Sequence, residues 1–268
     1  GVTARVSIKD LFIGGLLPGL VLIGLASAWG VREALKTDTG RQPFSWTELR
    51  SAVWIAKFEV ALPFVVLAAY FSGLATLVET AALAALYSAV ITGLVHRDFP
   101  FGRGLRQAST EAIVMIGGVL IILAAAKGFT AYTLDAEIPF RLLEWTQARV
   151  ESPLLFLLAL NVFLLIVGCL MDIVSATFVV VPLITGIGAA FGIDPVHLGI
   201  IFIANLELGY LTPPVGLNLF FASYRFDRPL FQVYRAALPM LAILGFGVLL
   251  ITYVPWLSLG LLELFGRR

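Results

Sequence analysis

Apolar runs separated by short polar segments make up most of the chain. The first run covers residues 11–29. At about 1.5 Å per helical residue, it is long enough to cross a hydrocarbon core of roughly 30 Å. Later runs of similar character cover residues 60–71, 77–95, 112–126 and 238–256. The pattern predicts an all-α integral membrane protein with several spanning helices.

Two of the polar segments carry the signature of a helix start. Ser45 is followed three residues later by Glu48, and Thr76 by Glu79, which is the spacing of a capping box. The first box precedes apolar side chains at helical spacing and predicts an amphipathic helix along the membrane surface. Glu79 is open to two interpretations, because it either closes the second box near the interface or is a functional intramembrane acid.

Two further apolar runs, residues 153–168 and 173–191, flank the acidic residue Asp172. The first run would form about 24 Å of helix, which is short for a complete span. We therefore predict a re-entrant helical hairpin over residues 152–191 with its tip at Asp172. The carboxylate of Asp172 can cap the returning helix, supply an oxygen to a cation, or do both. Ser175 lies on the same helical face and can join either arrangement.

The stretch from residue 194 to residue 224 has the pattern of one membrane-crossing element that is broken in the middle. Its centre is Gly209-Tyr210-Leu211-Thr212-Pro213-Pro214-Val215-Gly216-Leu217-Asn218. Pro213 and Pro214 have no N–H to donate, so the carbonyls of Gly209 and Tyr210 lose their helical partners. Free carbonyls at bilayer depth are tolerated only where they are buried in protein or line a polar cavity.

A broken helix places opposite partial charges on the two sides of the gap. The carboxyl end of the first half attracts a cation, and the amides near Gly216 to Asn218 attract an anion. We favour a substrate-facing role for the side chain of Asn218. Glu207, about one turn before the break, is either a functional intramembrane acid or a partner in a scaffold hydrogen bond. The sequence thus predicts a combined ion and substrate site at the break.

Composition agrees with a membrane protein and argues against several other classes. Hydrophobic residues make up 60% of the chain and charged residues 13%, about half the charged share of soluble domains. The net charge of +1 gives no reason to expect nucleic-acid binding. One cysteine excludes an internal disulfide, and the two histidines disfavour a histidine metal site. The chain begins at Gly1 rather than Met, so we expect it to be a piece of a longer polypeptide.

The residues of the hairpin and the break resemble the large membrane subunit of tripartite ATP-independent periplasmic (TRAP) transporters. The matching segments are Gly168–Ala176, Gly192–Gly199 and Gly209–Leu219. Thr76–Ala82 is similar to the family's Thr-Pro-Thr-Glu-Ala-Ala-Ala stretch but departs from it in its second and third residues. The resemblance extends over nearly the whole chain.

The resemblance implies secondary active transport by an elevator-type carrier in a bacterial or archaeal inner membrane. Residues 1–151 would then be mainly scaffold, with transmembrane and interfacial helices. Residues 152–224 would form the mobile transport domain, with its hairpin at 152–191 and its broken helix at 194–224. Residues 225–268 would form a terminal transmembrane helix.

The resemblance also implies symport of sodium with organic acids, such as C4-dicarboxylates, and no cofactor beyond this coupling ion. The partners would be a small membrane subunit, a soluble periplasmic substrate-binding protein and the lipid bilayer. By position, sodium would bind the backbone of Gly168, Gly209, Thr212 and Val215, with the Thr212 hydroxyl in addition. The family has an inverted repeat, and this chain resembles only its second half, so we do not expect the chain to transport by itself.

Three alternatives are set against this interpretation. The first is a related elevator carrier of carboxylates that works without a binding protein. The second is a purely structural membrane subunit. A membrane-embedded enzyme is the third, and we expect none, because the sequence has neither a Gly-x-Ser-x-Gly nor a His-Glu-x-x-His pattern.

Overall fold

A computed structural model of the protein describes residues 1–36, 44–97, 101–137, 141, 144–145, 149–150, 152–171, 173–213 and 216–266. Every regular element in these ranges is helical, which confirms the predicted all-α class. The helices are α1 (Ile8–Lys36), α2 (Trp46–Ile55), α3 (Lys57–Phe71), α4 (Leu77–Val90) with a π-helical turn (Ile91–Val95), α5 (Phe101–Asp135), α6 (Pro153–Leu170), α7 (Ile173–Ala190), α8 (Pro195–Gly209), α9 (Leu217–Phe226), α10 (Leu230–Tyr253) and α11 (Trp256–Leu264).

Five of the described helices are long and apolar enough to cross a membrane. They are α1, α4 with its π-helical turn, α6, α7 and α10. A sixth span results if α2 and α3, which meet at an angle of 65°, count as one element. Helix α8 is apolar but has only 15 residues, about 22 Å of helix. By length and composition, the chain is a multi-pass membrane protein.

The helices α6 and α7 correspond to the predicted hairpin, and each has 18 residues. Helix α6 is two residues longer than its predicted apolar run and α7 is one residue shorter. At about 27 Å each, both approach the thickness of the hydrocarbon core. Length therefore no longer favours a re-entrant hairpin over two spanning helices, and the re-entrant geometry stays a prediction. The division of the chain into a scaffold and a transport domain also stays a prediction.

One compact unit of the chain comprises Gly1–Asp38 and Ile121–Arg268. Within it, α8 is the central helix and packs against α1, α6, α7, α10 and α11. One apolar core lies among α6, α7 and α8, where Leu164, Ala176 and Leu206 are fully buried. A second core joins α8 to α1, α10 and α11, through Val196, Ile251 and other buried side chains. The helix that precedes the break is thus held from several sides.

The carboxyl-terminal region contains more than the single spanning helix that the sequence predicts. After α9 ends at Phe226, α10 forms a helix of 24 residues, and α11 adds nine more after Pro255. Helix α11 packs against α1, and its Leu262 and Ser258 are buried. The chain therefore continues after α10 into a second packed helix, which hydropathy alone did not separate from α10.

The other compact unit, Thr39–Leu120, contains α2, α3 and α4. Ser45 caps α2, because its hydroxyl accepts a hydrogen bond from the amide of Glu48 at 3.3 Å. Trp46 and Trp54 are 75% and 70% exposed, and the ammonium of Lys57 lies 3.9 Å from the centre of the Trp54 ring. Aromatic and basic side chains of this kind are typical of a membrane interface, which agrees with the predicted amphipathic helix.

The second predicted capping box is confirmed at the start of α4. The amide of Thr76 donates to Oε2 of Glu79 at 2.7 Å, and the amide of Glu79 donates to the Thr76 hydroxyl at 3.3 Å. Both halves of the box are present. Glu79 therefore has a structural role at the helix start, and nothing further is needed to explain its carboxylate.

Helix α5 extends well beyond the apolar run at residues 112–126, because it begins at Phe101 and ends at Asp135. Most of residues 138–151 lie outside the described residues.

Candidate functional site

The predicted break lies between α8 and α9. Helix α8 ends at Gly209, and the next helical residue is Leu217. Before the prolines, the backbone tightens into a turn of the 3₁₀ type, in which the amides of Leu211 and Thr212 donate to the carbonyls of Leu208 and Gly209 at 3.0 and 2.9 Å. Proline has no amide hydrogen to donate. The last amides before the prolines therefore bond to carbonyls three residues back, as in a 3₁₀ turn, rather than four residues back.

The carbonyls that the prolines release do not remain bare, which corrects the sequence expectation. The Gly209 carbonyl accepts the Thr212 amide at 2.9 Å, and the Tyr210 carbonyl accepts the Asn218 amide at 3.2 Å. A carbonyl oxygen has two lone pairs, so each of these groups keeps one acceptor position after its backbone bond. Their capacity to coordinate a cation is therefore reduced but not removed.

The amides at the start of α9 are also less available than the sequence suggested. The Asn218 amide is used by Tyr210, and the Leu219 amide donates to the Gly216 carbonyl at 2.8 Å. Gly216 itself is buried and has a φ of +47°, a left-handed conformation that favours glycine. The Asn218 amide is therefore already engaged within the break, and a role of this segment in binding an anion stays a prediction that depends more on the Asn218 side chain.

The carboxyl ends of α6 and α8 meet at two glycines. A methyl group placed on Gly209 would lie 2.6 Å from the Cα atom of Gly168 and 3.0 Å from the amide nitrogen of Cys169. A methyl group on Gly168 would lie 3.1 Å from the Cα atom of Leu206. Backbones can approach this closely only where neither residue has a side chain. The structure thus brings together Gly168 and Gly209, two of the residues that the resemblance assigns to sodium.

Tyr210 joins the break to the start of α7, a contact that the sequence did not indicate. Its hydroxyl accepts a hydrogen bond from the amide of Ile173, the first residue of α7. The first amides of a helix have no partner within the helix, so this hydroxyl acts as a cap. Asp172, which the sequence offers as a cap of the same helix or as a cation ligand, lies outside the described residues. The one local signal that could have pointed to Tyr210 is its position, because it is an aromatic residue with a hydroxyl group inside the break.

The remaining predicted site residues have different outcomes. Thr212 is half-buried and donates its hydroxyl hydrogen to the Leu208 carbonyl at 2.8 Å, which leaves the oxygen able to accept or coordinate. Ser175 on α7 and Asn218 on α9 are half-buried, and Glu207 is exposed. Asp172 and Val215 lie outside the described residues.

A buried polar cluster links α6, α8 and α10 on the amino-terminal side of the break. The Asn205 amide group donates to the side-chain oxygen of Asn161 at 2.7 Å, and the Thr252 hydroxyl lies 3.1 Å from the same oxygen. Asn161, Asn205 and Thr252 are 6%, 2% and 0% exposed. Polar side chains in apolar helices are costly unless they are paired, and here they pair with one another across three helices.

His197 extends this cluster towards the start of α8. It is 3% exposed, and its Nε2 atom lies 3.1 Å from the Thr252 carbonyl. Asp194 caps the same helix, with its carboxylate accepting the amides of Val196 and His197 at 2.8 and 3.1 Å. The partners in this cluster lie far apart along the chain, so local sequence patterns do not identify them.

Comparisons with known proteins match nearly the whole chain. The family profile described as "Tripartite ATP-independent periplasmic transporter, DctM component" matches residues 1–257. The isethionate TRAP transporter permease protein DctMQ of Oleidesulfovibrio alaskensis is 35% identical over 259 residues, which cover 95% of this chain and 40% of that protein. The C4-dicarboxylate TRAP transporter large permease protein DctM of Pseudomonas aeruginosa is 34% identical over 266 residues, which cover 97% and 61%.

A third relative is named for another substrate. The sialic acid TRAP transporter permease protein SiaT of Haemophilus influenzae is 29% identical over 256 residues, which cover 95% of this chain and 41% of that protein. The chain thus spans between 40% and 61% of the length of these relatives. The family profile covers nearly the whole chain, including α6, the break and α10. The protein is therefore a multi-pass membrane protein that belongs to the DctM family of large TRAP transporter permease components.

Proposed function

We propose that the complete protein is the permease subunit of a sodium-coupled importer of organic acids. The observation that carries the proposal is the meeting of two helix carboxyl ends at Gly168 and Gly209. Each carboxyl end carries a partial negative charge of about half an elementary charge. Two such ends in close contact favour a cation between or beside them.

Sodium binds, in this proposal, to the backbone of Gly168, Gly209, Thr212 and Val215. Carbonyl and hydroxyl oxygens are the donors that a hard cation prefers. The free lone pair of the Gly209 carbonyl and the oxygen of the Thr212 hydroxyl support this assignment. Both groups already have one hydrogen bond, which holds them in place before an ion arrives.

The substrate is an organic acid, and a C4-dicarboxylate is the first to test. The relatives named above are described as carriers of isethionate, C4-dicarboxylates and sialic acid, all of which are organic anions. The amino end of α9 supplies positive partial charge on the other side of the break, and the amino end of α7 lies beside Tyr210. Because the Asn218 amide is engaged, recognition by this part of the chain depends more on side chains, and the candidate residues are Asp172, Ser175, Asn218 and Gly216.

Transport follows an elevator mechanism in a bacterial or archaeal inner membrane. Residues 152–224 move against a scaffold that includes most of residues 1–151, and the sodium gradient supplies the free energy. A periplasmic binding protein delivers the substrate, and a small membrane subunit completes the complex. The support for these points is family membership together with the helical break, since secondary transporters of this kind use broken helices at their binding sites.

The first experiment measures uptake of radiolabelled C4-dicarboxylates by the full-length protein in proteoliposomes, with its small subunit and binding protein. We expect uptake to require sodium. Thr212→Ala should raise the sodium concentration for half-maximal uptake, because it removes one oxygen donor. Thr212→Ser keeps the hydroxyl and should retain the wild-type sodium dependence, so it is the matched control.

Other outcomes would support other interpretations. Strong uptake without sodium would overturn the coupling mechanism. Full uptake without the binding protein would favour an elevator carrier that works alone. Retained transport after Thr212 and Asp172 are both replaced by Ala would favour a structural subunit.

A further inference from the structure

Tyr210 makes three contacts that belong to three different elements. Its own amide donates to the Leu206 carbonyl and closes the end of α8. Its carbonyl accepts the Asn218 amide and so fixes the start of α9. Its side-chain hydroxyl accepts the amide of Ile173 at the start of α7.

We propose that Tyr210 is a positioning residue that couples the tip between α6 and α7 to the ion site at the break. In this inference, the hydroxyl fixes the start of α7 relative to the carbonyls of Gly209 and Tyr210. Binding of the ion then stabilises the start of α7, and movement of the start of α7 weakens the ion site. The inference deepens the proposed function and rests on it.

The geometry gives Tyr210 this role because its two ends serve different elements. Its backbone is adjacent to Gly209, which contacts Gly168 at the end of α6. Its ring extends from that point to Ile173, which is only five residues beyond Gly168 in the chain. The two elements that flank the tip therefore both contact the same short segment of the break. A shift of α6 or of the start of α7 therefore acts on the same two residues of the break, Gly209 and Tyr210.

A simple helix cap is the alternative role for the same hydrogen bond. A hydroxyl cap would stabilise the first turn of α7 and nothing else. A positioning role predicts in addition that the hydroxyl affects sodium affinity. Sodium dependence and local stability of α7 therefore distinguish the two roles.

The variant Tyr210→Phe removes the hydroxyl and keeps the ring. We expect the sodium concentration for half-maximal uptake to rise about fivefold, the factor that corresponds to the loss of one typical hydrogen bond. The matched control is Tyr253→Phe, since the Tyr253 hydroxyl also bonds to a backbone group, here as a donor to the Leu154 carbonyl at 3.1 Å, but lies on α10. This control should keep the wild-type sodium dependence.

Hydrogen exchange supplies a second measurement on the same full-length proteins. In Tyr210→Phe, the amides at the start of α7 should exchange faster than in the wild type, whereas Tyr253→Phe should leave them unchanged. In the wild type, sodium should slow exchange at the same amides. This last comparison needs no variant and tests the coupling even if Tyr210→Phe does not fold.

The outcomes separate this inference from the proposed function. If wild-type uptake does not need sodium, the proposed function fails and the coupling fails with it. If wild-type uptake needs sodium but Tyr210→Phe has an unchanged half-maximal concentration, only the positioning role is overturned. Faster exchange without a change in sodium dependence would reduce Tyr210 to a simple cap. Sodium that leaves exchange at the start of α7 unchanged in the wild type would also overturn the coupling.

Discussion

The contact between α6 and α8 predicts that Gly209→Ala destabilises the protein. The added methyl group would lie 2.6 Å from the Cα atom of Gly168, and an ordinary contact needs at least 3.4 Å. The obstructing atoms belong to the backbone, so no side-chain rotation relieves the clash. The two helix ends would have to separate, and the site between them would widen.

The expected size follows from two opposing effects. Overpacking of a closely packed contact destabilises by about 1–3 kcal/mol. Replacing glycine by alanine in a helix gains at most about 1 kcal/mol, and less at the last helical residue. The clash is therefore the larger effect, and the net loss should be about 1–2 kcal/mol.

Two other glycines supply graded controls. A methyl group on Gly168 would lie 3.1 Å from the nearest backbone atom, so that a small shift relieves the contact. A methyl group on Gly186, inside α7, meets no described atom within 4 Å. We therefore expect stability to fall in the order Gly186→Ala, Gly168→Ala, Gly209→Ala.

Thermal stability of the purified full-length protein in detergent checks this order. The readout is the temperature at which half of the protein is lost from the monodisperse peak in size-exclusion chromatography. A loss of 1 kcal/mol lowers the melting temperature by about 2–4 °C in domains of 150–250 residues. Gly209→Ala melting at or above Gly186→Ala would refute the close approach of the two helix ends.

Three further predictions concern single interactions. Asn161→Leu should destabilise by about 1–2 kcal/mol in the same thermal assay, because it leaves an amide hydrogen of Asn205 without its acceptor inside three packed helices; unchanged stability would show that the cluster is not held together by this bond. Thr76→Ala should accelerate hydrogen exchange in the first turn of α4, since loss of an N-cap hydroxyl destabilises a helix by about 1 kcal/mol; exchange equal to wild type would contradict the capping box. Gly216→Ala should lower the melting temperature, because its φ of +47° is strained for alanine and the methyl group would lie 2.9 Å from the Thr212 carbonyl oxygen; a melting temperature equal to that of Gly186→Ala would contradict the left-handed turn.

Much of the architecture could be predicted because its signals are local. Apolar runs identified α1, α4 and α10 as spanning helices, and Thr76 with Glu79 identified the start of α4. Each of these features depends on residues within a few positions of one another, and the necessary physics is side-chain polarity and backbone hydrogen bonding. The limits of α5 and the separate helix α11 were missed, because polar or proline-containing segments do not reveal by themselves whether packing continues a helix.

The break shows where local reasoning succeeds and where it ends. Two prolines determine that α8 cannot continue and which carbonyls lose their helical donors. They do not determine which group replaces those donors. The replacement for Tyr210 comes from Asn218, across the unwound segment, and only the folded backbone places that amide within reach.

The sequence by itself determined the membrane class, the helices, the position of the break and the family resemblance. The tertiary structure decided which groups meet there. The hydrogen bond from Ile173 to Tyr210 joins residues 37 positions apart, and the bonds of Asn161 reach 44 and 91 positions along the chain. No local pattern specifies such pairs, because a polar side chain in an apolar helix has many acceptable partners. Helix packing selects among them when it brings particular faces of α6, α8 and α10 together.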